Sequence, residues 1–404
     1  MAEGVADPFI LPDEPAFLEA LTGCIKGWPI TLRRLDPSRP SEAVPVTVIE
    51  PRGEGLYRAH SRYLEEPVDG LSLASAVCAV LADLSQARSD APGGHIFGLH
   101  CGGVSFGARG VILAGAARAG KSTLVARLSA EAGVAVLADD VLPVAAGGEV
   151  IGLGLAPRLR LPLPEAASER FRRHVSGCLG AADDRYGYLW TESLLPHGAR
   201  AEAEVLVLLD RREAGAATLH HLPEDRVLRA IVERSIAGPE GTEAVYAAAR
   251  DLAARLVGVR LVYSDLEEAV ALLRAAFAGD GRAVAVPVLP EVEDAEAGPV
   301  AFAAVHGRAR FRRAGGTATR HLAGAAFLWQ PAGNMLWHLN PVASMIWDML
   351  VRPVSAEIIA RELRRVFPDQ PVARLREDVA ALLGQMWHEG LAEAEAGGER
   401  TGRE

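Results

Sequence analysis

Hydrophobic positions divide the chain into regions of different period. Between about residues 96 and 278, short apolar runs alternate with helical spacing. Residues 104–106, 111–114, 134–138 and 205–209 read as buried strands, 123–128 as a helix start and 265–277 as the last helix. Such alternation predicts an α/β core. Residues 1–95 are mixed and proline-containing, with helical spacing at 71–84 and a break at Ser89-Asp-Ala-Pro-Gly-Gly94; no role is legible there. Residues 279–299 are rich in Gly, Pro, Glu and Asp and read as a solvated linker.

The C-terminal pattern, residues 300–396, is that of a compact α+β module. Apolar runs at 325–330 and 334–339 flank Pro331-Ala-Gly333, which predicts a hairpin. Pro341 opens a helix with Val342, Met345, Ile346 and Met349 on one face. Ser355 is placed to cap a second, carrying Ile358, Ile359, Leu363 and Val366. Pro371 opens a third, with Val372, Leu375, Val379, Leu382 and Met386, and Gly390 stops it. Strands with three short helices predict a winged-helix arrangement.

One loop carries chemistry. Gly115-Ala116-Ala117-Arg118-Ala119-Gly120-Lys121-Ser122 matches G-x-x-x-x-G-K-[ST], sits between a predicted strand and a predicted helix, and runs on to Thr123. In that context loop amides and a helix N-terminus cradle phosphates, a lysine reaches the β/γ-phosphates and a hydroxyl holds Mg²⁺. Residues 115–123 are therefore expected to bind ATP, with Lys121 on the phosphates and Ser122 on the metal. Of 42 Lys+Arg residues only Lys26 and Lys121 are lysine. A chain that uses arginine for nearly every other cation places a compact ammonium in this loop, where a planar guanidinium fits poorly. Asp139 and Asp140 follow the apolar run 134–138; carboxylates at a strand end beside such a loop can hold Mg²⁺ or take a proton. His100 stands fifteen residues before Gly115.

Bulk properties exclude several classes. A chain of 404 residues implies two or three domains, and a hydrophobic half supplies ample core. The net charge of −10 argues against general nucleic-acid affinity. Cys24, Cys78, Cys101 and Cys178 are far apart, which argues against zinc ribbons and redox pairs and for reduced thiols. The N-terminus lacks a signal-peptide pattern and no apolar run is long enough to span a bilayer, so a cytoplasmic protein with no membrane partner is expected. Nothing bears on whether it forms a homo-oligomer.

Residues 100–140 resemble the catalytic core of the HPr kinase/phosphorylase family: His100-Cys-Gly102, the loop Gly115 to Ser122, Gly133, and Ala138-Asp139-Asp140. The resemblance implies an α/β P-loop core in which Lys121 and Ser122 bind phosphate and metal; Asp139, from its place at the strand end, is expected to serve the metal. The resemblance also implies Asp140 as proton acceptor for a substrate serine and His100 as an active-site histidine. Arg158 and Arg160 are candidates for transition-state charge. The likeness is nearest to HPr-kinase-like enzymes that accompany modified-peptide biosynthesis.

Residues 300–395 look like PqqD: Trp337-His-Leu-Asn340-Pro-Val-Ala-Ser-Met-Ile-Trp347, Ser355-Ala-Glu-Ile-Ile-Ala360, and Asp378-Val through His388-Glu-Gly390-Leu. That resemblance implies a winged-helix domain that takes a precursor peptide's leader as an added strand beside the third helix. The alternative for such a shape is DNA binding. Against it, residues 300–404 hold 13 Arg, no Lys and 11 Asp+Glu, and the third helix mixes both signs. The basic run Arg308, Arg310, Arg312, Arg313 and Arg320 either meets an acidic leader or forms a solvated strand face. The expectation is an ATP- and Mg²⁺-dependent kinase for a Ser or Thr of a ribosomally made precursor peptide. The alternatives are a small-molecule kinase, acting for example on free serine, and a non-catalytic, nucleotide-gated peptide chaperone.

Overall fold

The computed structural model describes residues 8–34, 44–90, 97–116, 119–236, 241–279, 284–291, 305, 307–330 and 336–395. The chain forms two compact units, Met1–Glu291 and Val292–Glu404. Ala117 and Arg118 of the glycine loop, and the turn Pro331–Gly333, lie outside the described residues.

A 10-stranded sheet organises the first unit among the described residues. Its path runs Ser235–Ile236, Phe97–His100, Val141–Val144, Glu149–Ile151, Arg200–Arg211, Arg109–Ala114, Gly102–Phe106, Val134–Ala138. The long strand Arg200–Arg211 pairs in parallel with Arg109–Ala114, Val207 opposite Leu113, and with Val257–Tyr263, Val207 opposite Val259. Every residue of Arg109–Ala114 is buried. A strand covered on both faces reads as an unbroken apolar run rather than an alternating one, which is why this segment stood out. Beyond it the glycine loop leads into the helix Lys121–Leu128.

The expected boundary near residue 95 is not a break between compact units. Phe17, Leu21, Ile49, Tyr57, Val77 and Leu81 pack into the same buried cluster as Val104, Leu113, Leu124 and Leu273. A four-stranded sheet (Phe9–Ile10, Thr47–Gly53, Leu56–Ser61, Val68–Leu71) and the helices Pro15–Thr22 and Leu73–Asp90 form this layer. It is tied to the core by backbone bonds: Ala156 N–H donates to Cys24 O at 2.8 Å, Lys26 N–H to Gly154 O at 2.7 Å, and His197 N–H to Lys26 O at 2.7 Å.

The expected linker also needs correction. Residues 284–291 dock on the first unit, where Leu289 N–H donates to Leu219 O and His221 N–H to Leu289 O, each at 2.8 Å. The rest of 279–299 that bears on a linker, residues 280–283 and 292–299, lies outside the described residues.

In the second unit the strands Ala325–Trp329 and Leu336–Leu339 pair antiparallel, joined by Ala318–Leu322 on the far side of the first. A second sheet places Arg310–Arg313 between Val354–Ser355 and Ala392–Ala394. The three helices are Pro341–Met349, Ala356–Val366 and Val372–His388. Asn340 Oδ1 accepts from Ala343 N–H and caps the first. Ser355 stands at the N-cap of the second but makes no side-chain cap bond; Glu357 N–H donates to Gly307 O instead. Buried faces differ from the expected stripes because alanines complete them. Ala356, Ile359, Ala360 and Leu363 are buried in the second helix, and Leu375, Val379, Ala380, Leu383 and Met386 in the third, while Ile358, Val366 and Val372 are exposed.

Candidate functional site

The glycine loop is closed by contacts that only glycine permits. Gly120, the N-cap of Lys121–Leu128, has φ +93°, and a Cβ there would meet the Tyr263 hydroxyl at 2.7 Å. That hydroxyl donates to Ala119 O at 3.0 Å and so pins the loop from the end of Val257–Tyr263. A Cβ on Gly102 would strike Val125 Cγ2 at 2.8 Å, so the strand Gly102–Phe106 lies directly against the helix. Ser122 and Thr123 occupy the helix's first turn, where N–H groups have no intrahelical acceptor. Lys121 Nζ donates to Gly115 O at 3.0 Å and Ala116 O at 3.2 Å. Burial, with the charge of Arg234 assisting, pushes the Lys121 ammonium below its ordinary range. A half-buried cation held only by neutral carbonyls is better satisfied by an anion.

His100 and Asp140 come together, and the Asp140 charge is felt at Lys121 of the loop. The strands Phe97–His100 and Val141–Val144 are antiparallel, with His100 opposite Val141. That register brings His100 beside Asp140, and His100 Nε2 lies 2.9 Å from Asp140 Oδ1. The side chains are 61% and 57% exposed, so the pair is open to solvent. The hydrogen bond from His100 outweighs desolvation and holds Asp140 below the usual carboxylate range, with Arg158 and Lys121 adding to it. Asp140 is therefore an ionised acceptor.

Asp139 behaves oppositely. Burial of its carboxyl pushes it up to about 7, the Asp140 charge adds to this, and the backbone N–H of Arg158, 2.9 Å from Oδ2, opposes it. The residue as a whole is only half-buried; the carboxyl end is what the protein encloses. An enclosed carboxyl next to a second one is a place where a divalent cation, when bound, would supply compensating charge. Ser122 and Asp139 are oxygen donors of the kind Mg²⁺ takes. Among the described residues no group of three or more His, Cys, Asp or Glu side chains could hold a metal by itself. Mg²⁺ characteristically binds one or two carboxylates and completes its shell with substrate phosphates and water.

Of the two arginines proposed from sequence, Arg158 lies close enough for its charge to act on both carboxylates, although its side-chain bonds are made elsewhere. Arg158 Nη1 donates to Cys78 Sγ at 2.7 Å, and its guanidinium stacks over Tyr186 at 5.0 Å. It donates its backbone N–H to Asp139 and adds a nearby positive charge to both carboxylates. Arg160 is exposed on the same short strand, Arg158–Arg160. Sequence reasoning missed Arg234, whose backbone carbonyl accepts from His100 N–H at 2.7 Å.

In the second unit the basic run is largely neutralised. Arg310 pairs with Glu395 at 3.2 Å, Arg312 with Glu393 at 2.9 Å, Arg313 with Asp348 at 2.8 Å and Arg308 with Glu357 at 3.6 Å. The strand Arg310–Arg313 is flanked on both sides, so it offers no edge. The described pairing of Leu336–Leu339 is to Ala325–Trp329 alone, which leaves its outer side as an edge among the described residues. Trp387, on the third helix, is half exposed beside Phe311.

No helix among the described residues is long and apolar enough to cross a membrane. Comparison with curated proteins finds no match to the chain. Residues 326–392 match the family model of coenzyme PQQ synthesis protein D (PqqD), so the C-terminal unit contains a PqqD-like domain.

Proposed function

We propose that this chain is an ATP- and Mg²⁺-dependent kinase that phosphorylates a Ser, or a Thr, of a ribosomally made precursor peptide while its PqqD-like domain holds the leader. PqqD domains bind precursor peptides, which supports a peptide partner. The observation that carries the catalytic half is the solvent-open His100–Asp140 pair, whose Asp140 charge is felt at the half-buried lysine of a glycine loop.

In this reading Lys121 exchanges the carbonyls of Gly115 and Ala116 for phosphate oxygens, and the loop amides orient the chain of phosphates. The substrate hydroxyl oxygen bonds to the γ-phosphorus. The bond from that phosphorus to the β–γ bridging oxygen breaks, its electron pair leaving on ADP, and the hydroxyl proton passes to Asp140. A carboxylate of lowered basicity suffices, because the transition state is loose and the proton moves late. His100 fixes the Asp140 carboxylate by its hydrogen bond. Ser122 and Asp139 would hold Mg²⁺, which neutralises phosphate charge when bound. The leader adds as a strand to an open sheet edge, the strand Leu336–Leu339 being the candidate.

The test is incubation of the full chain with ATP, Mg²⁺ and a precursor peptide encoded beside it, followed by mass spectrometry of the peptide. Addition of one phosphoryl group, lost in Lys121→Ala, supports the reading. ATP binding with no transfer points instead to a nucleotide-gated chaperone, and transfer to free serine without preference for the precursor to a small-molecule kinase.

A further inference from the structure

One carbonyl oxygen serves two cations at the glycine loop. Gly115 O accepts from Lys121 Nζ at 3.0 Å and from Arg234 Nε at 3.3 Å. Arg234 lies between the helix Glu224–Val232 and the short strand Ser235–Ile236, which pairs with Phe97–His100 through Ser235 opposite Leu99. Its backbone is thus fixed to the strand that carries His100, and its side chain is fixed to the first residue of the loop. The side chain is 14% exposed, and Nη1 is held by Ala230 O at 3.0 Å and Glu233 Oε2 at 3.2 Å. Nη2 has no partner among the described residues.

Two like charges converging on one neutral oxygen repel each other, and that oxygen compensates neither. An arginine with only a structural role normally faces a carboxylate, as Arg127 does with Glu131 and Glu267. Arg234 has its partner Glu233 on one nitrogen and turns another toward the loop. A polyphosphate entering the cradle offers anionic oxygens to both cations and removes their mutual repulsion.

We infer that Arg234 is a phosphate-contacting residue of the glycine-loop site, acting together with Lys121 on the terminal phosphates of a bound nucleoside triphosphate. This rests on reading the loop as a nucleotide site. A planar guanidinium suits the spread charge of a transferring phosphoryl group, and a donor already in place is more effective there than on the ground state. Arg234 thereby makes the site selective for triphosphates over monophosphates.

The test uses the full-length protein with Mg²⁺, titrated calorimetrically with ATP, ADP and AMP. The variants are Arg234→Gln, Arg234→Lys, Lys121→Ala and, as a charge control at the surface, Arg250→Gln. The expected result for Arg234→Gln is ATP affinity lowered by about tenfold with AMP affinity unchanged, and transfer lowered by about 10² or more. Arg234→Lys should recover affinity more than transfer, since a point charge replaces the planar fork. A purely structural role would lower the melting temperature without changing the ATP-to-AMP affinity ratio. If Arg234→Gln keeps wild-type ATP affinity and transfer while Lys121→Ala loses both, the inference is overturned and the nucleotide reading stands. If the wild-type protein binds no ATP, the nucleotide reading itself fails and takes this inference with it. Should Arg234→Gln not fold, the lysine variant decides: wild-type transfer in it overturns the claim.

Discussion

The backbone N–H of Arg158 donates to Asp139 Oδ2 at 2.9 Å, while the Arg158 side chain turns away to Cys78 on the helix Leu73–Asp90. One residue thus joins the layer built by residues 8–90 to the Asp139 carboxylate. The N-terminal segment therefore braces the chain that orients Asp139. Two neighbouring carboxylates are thereby separated in environment, one enclosed and backed by an N–H, the other open and backed by His100. Their variants should separate too. Asp139→Asn is expected to raise the Mg²⁺ concentration for half-maximal transfer by about tenfold, because a neutral amide is a poorer ligand for a hard cation. Metal titration of the transfer rate measures it, and an unchanged midpoint would remove Asp139 from the metal site.

Asp140→Asn is expected to leave nucleotide affinity intact and to lower the transfer rate by about 10² or more, as for loss of a positioned base. Stopped-flow or quench measurement of one turnover isolates that step. A near-wild-type rate would place the proton acceptor elsewhere.

Lys121→Ala is expected to abolish transfer with a stability change under about 1 kcal/mol, because the lost contacts are two bonds to loop carbonyls of a half-buried side chain. Urea denaturation beside nucleotide titration checks both halves. Wild-type ATP affinity in this variant would sink the phosphate reading of the loop.

Asp183 predicts a pH effect on stability. Burial alone would raise its carboxyl, but the Ser72 hydroxyl, the N–H groups of Arg185 and Tyr186 and the Ser75 hydroxyl outweigh it and hold it at about 2. A folded-state value below the unfolded one means the contribution is complete above about pH 4 and disappears as pH falls toward about 2. Asp183→Ala should cost about 1 kcal/mol at neutral pH, a low figure because the carboxyl is largely open to water. It should also flatten the acid limb of the stability curve in that window. A wild-type acid limb in the variant would contradict the assignment.

Glu131 is buried, with Arg127, Arg170 and Arg274 at 2.6, 2.8 and 2.7 Å. Its network clamps the helix Lys121–Leu128 to Glu169–Cys178 and Leu266–Phe277. Glu131→Gln leaves the buried Arg127 with Glu267 as its one remaining carboxylate among the described residues and should cost about 1–3 kcal/mol. Urea denaturation reads the loss, while nucleotide affinity per folded molecule should hold. A cost under about 1 kcal/mol would mean water enters the cluster.

What was legible in the sequence was local. Residues 111–114 and 134–138 read as strands because both faces are covered, and Gly120 marked the loop because its φ excludes a side chain. Arg234 was not legible. It is one of many arginines, 119 residues beyond Gly115, and strand pairing across the sheet brings it to the loop. The direction of the Arg158 side chain depends on Cys78, 80 residues earlier, and no period reports such a contact. In the PqqD-like domain, the partners of Arg310 and Arg312 lie on Ala392–Ala394 and just past it, a strand too short to announce itself.

Those partners change what the arginines predict about leader binding. A basic strand free in water would make leader affinity fall on charge reversal, most at low salt. Here Arg312→Glu would face Glu393 across a strand pair, so the expected effect is a less stable domain, with leader affinity falling only as the fold is lost. The exchange Arg312→Glu with Glu393→Arg should restore both the melting temperature and leader affinity. Restored stability without restored affinity would instead make Arg312 a leader contact. In the proposed function, leader binding contributes equally to ground and transition states. Removal of residues 292–404, the second compact unit, should therefore raise KM for the full precursor and spare kcat. A core peptide lacking its leader should react equally slowly with both forms. Titration of the intact protein with the leader alone should show saturation by ~100 μM, an affinity attainable for an added strand with side-chain pockets. Absence of binding at that concentration, or tight binding of duplex DNA in its place, would overturn the leader-recognition role.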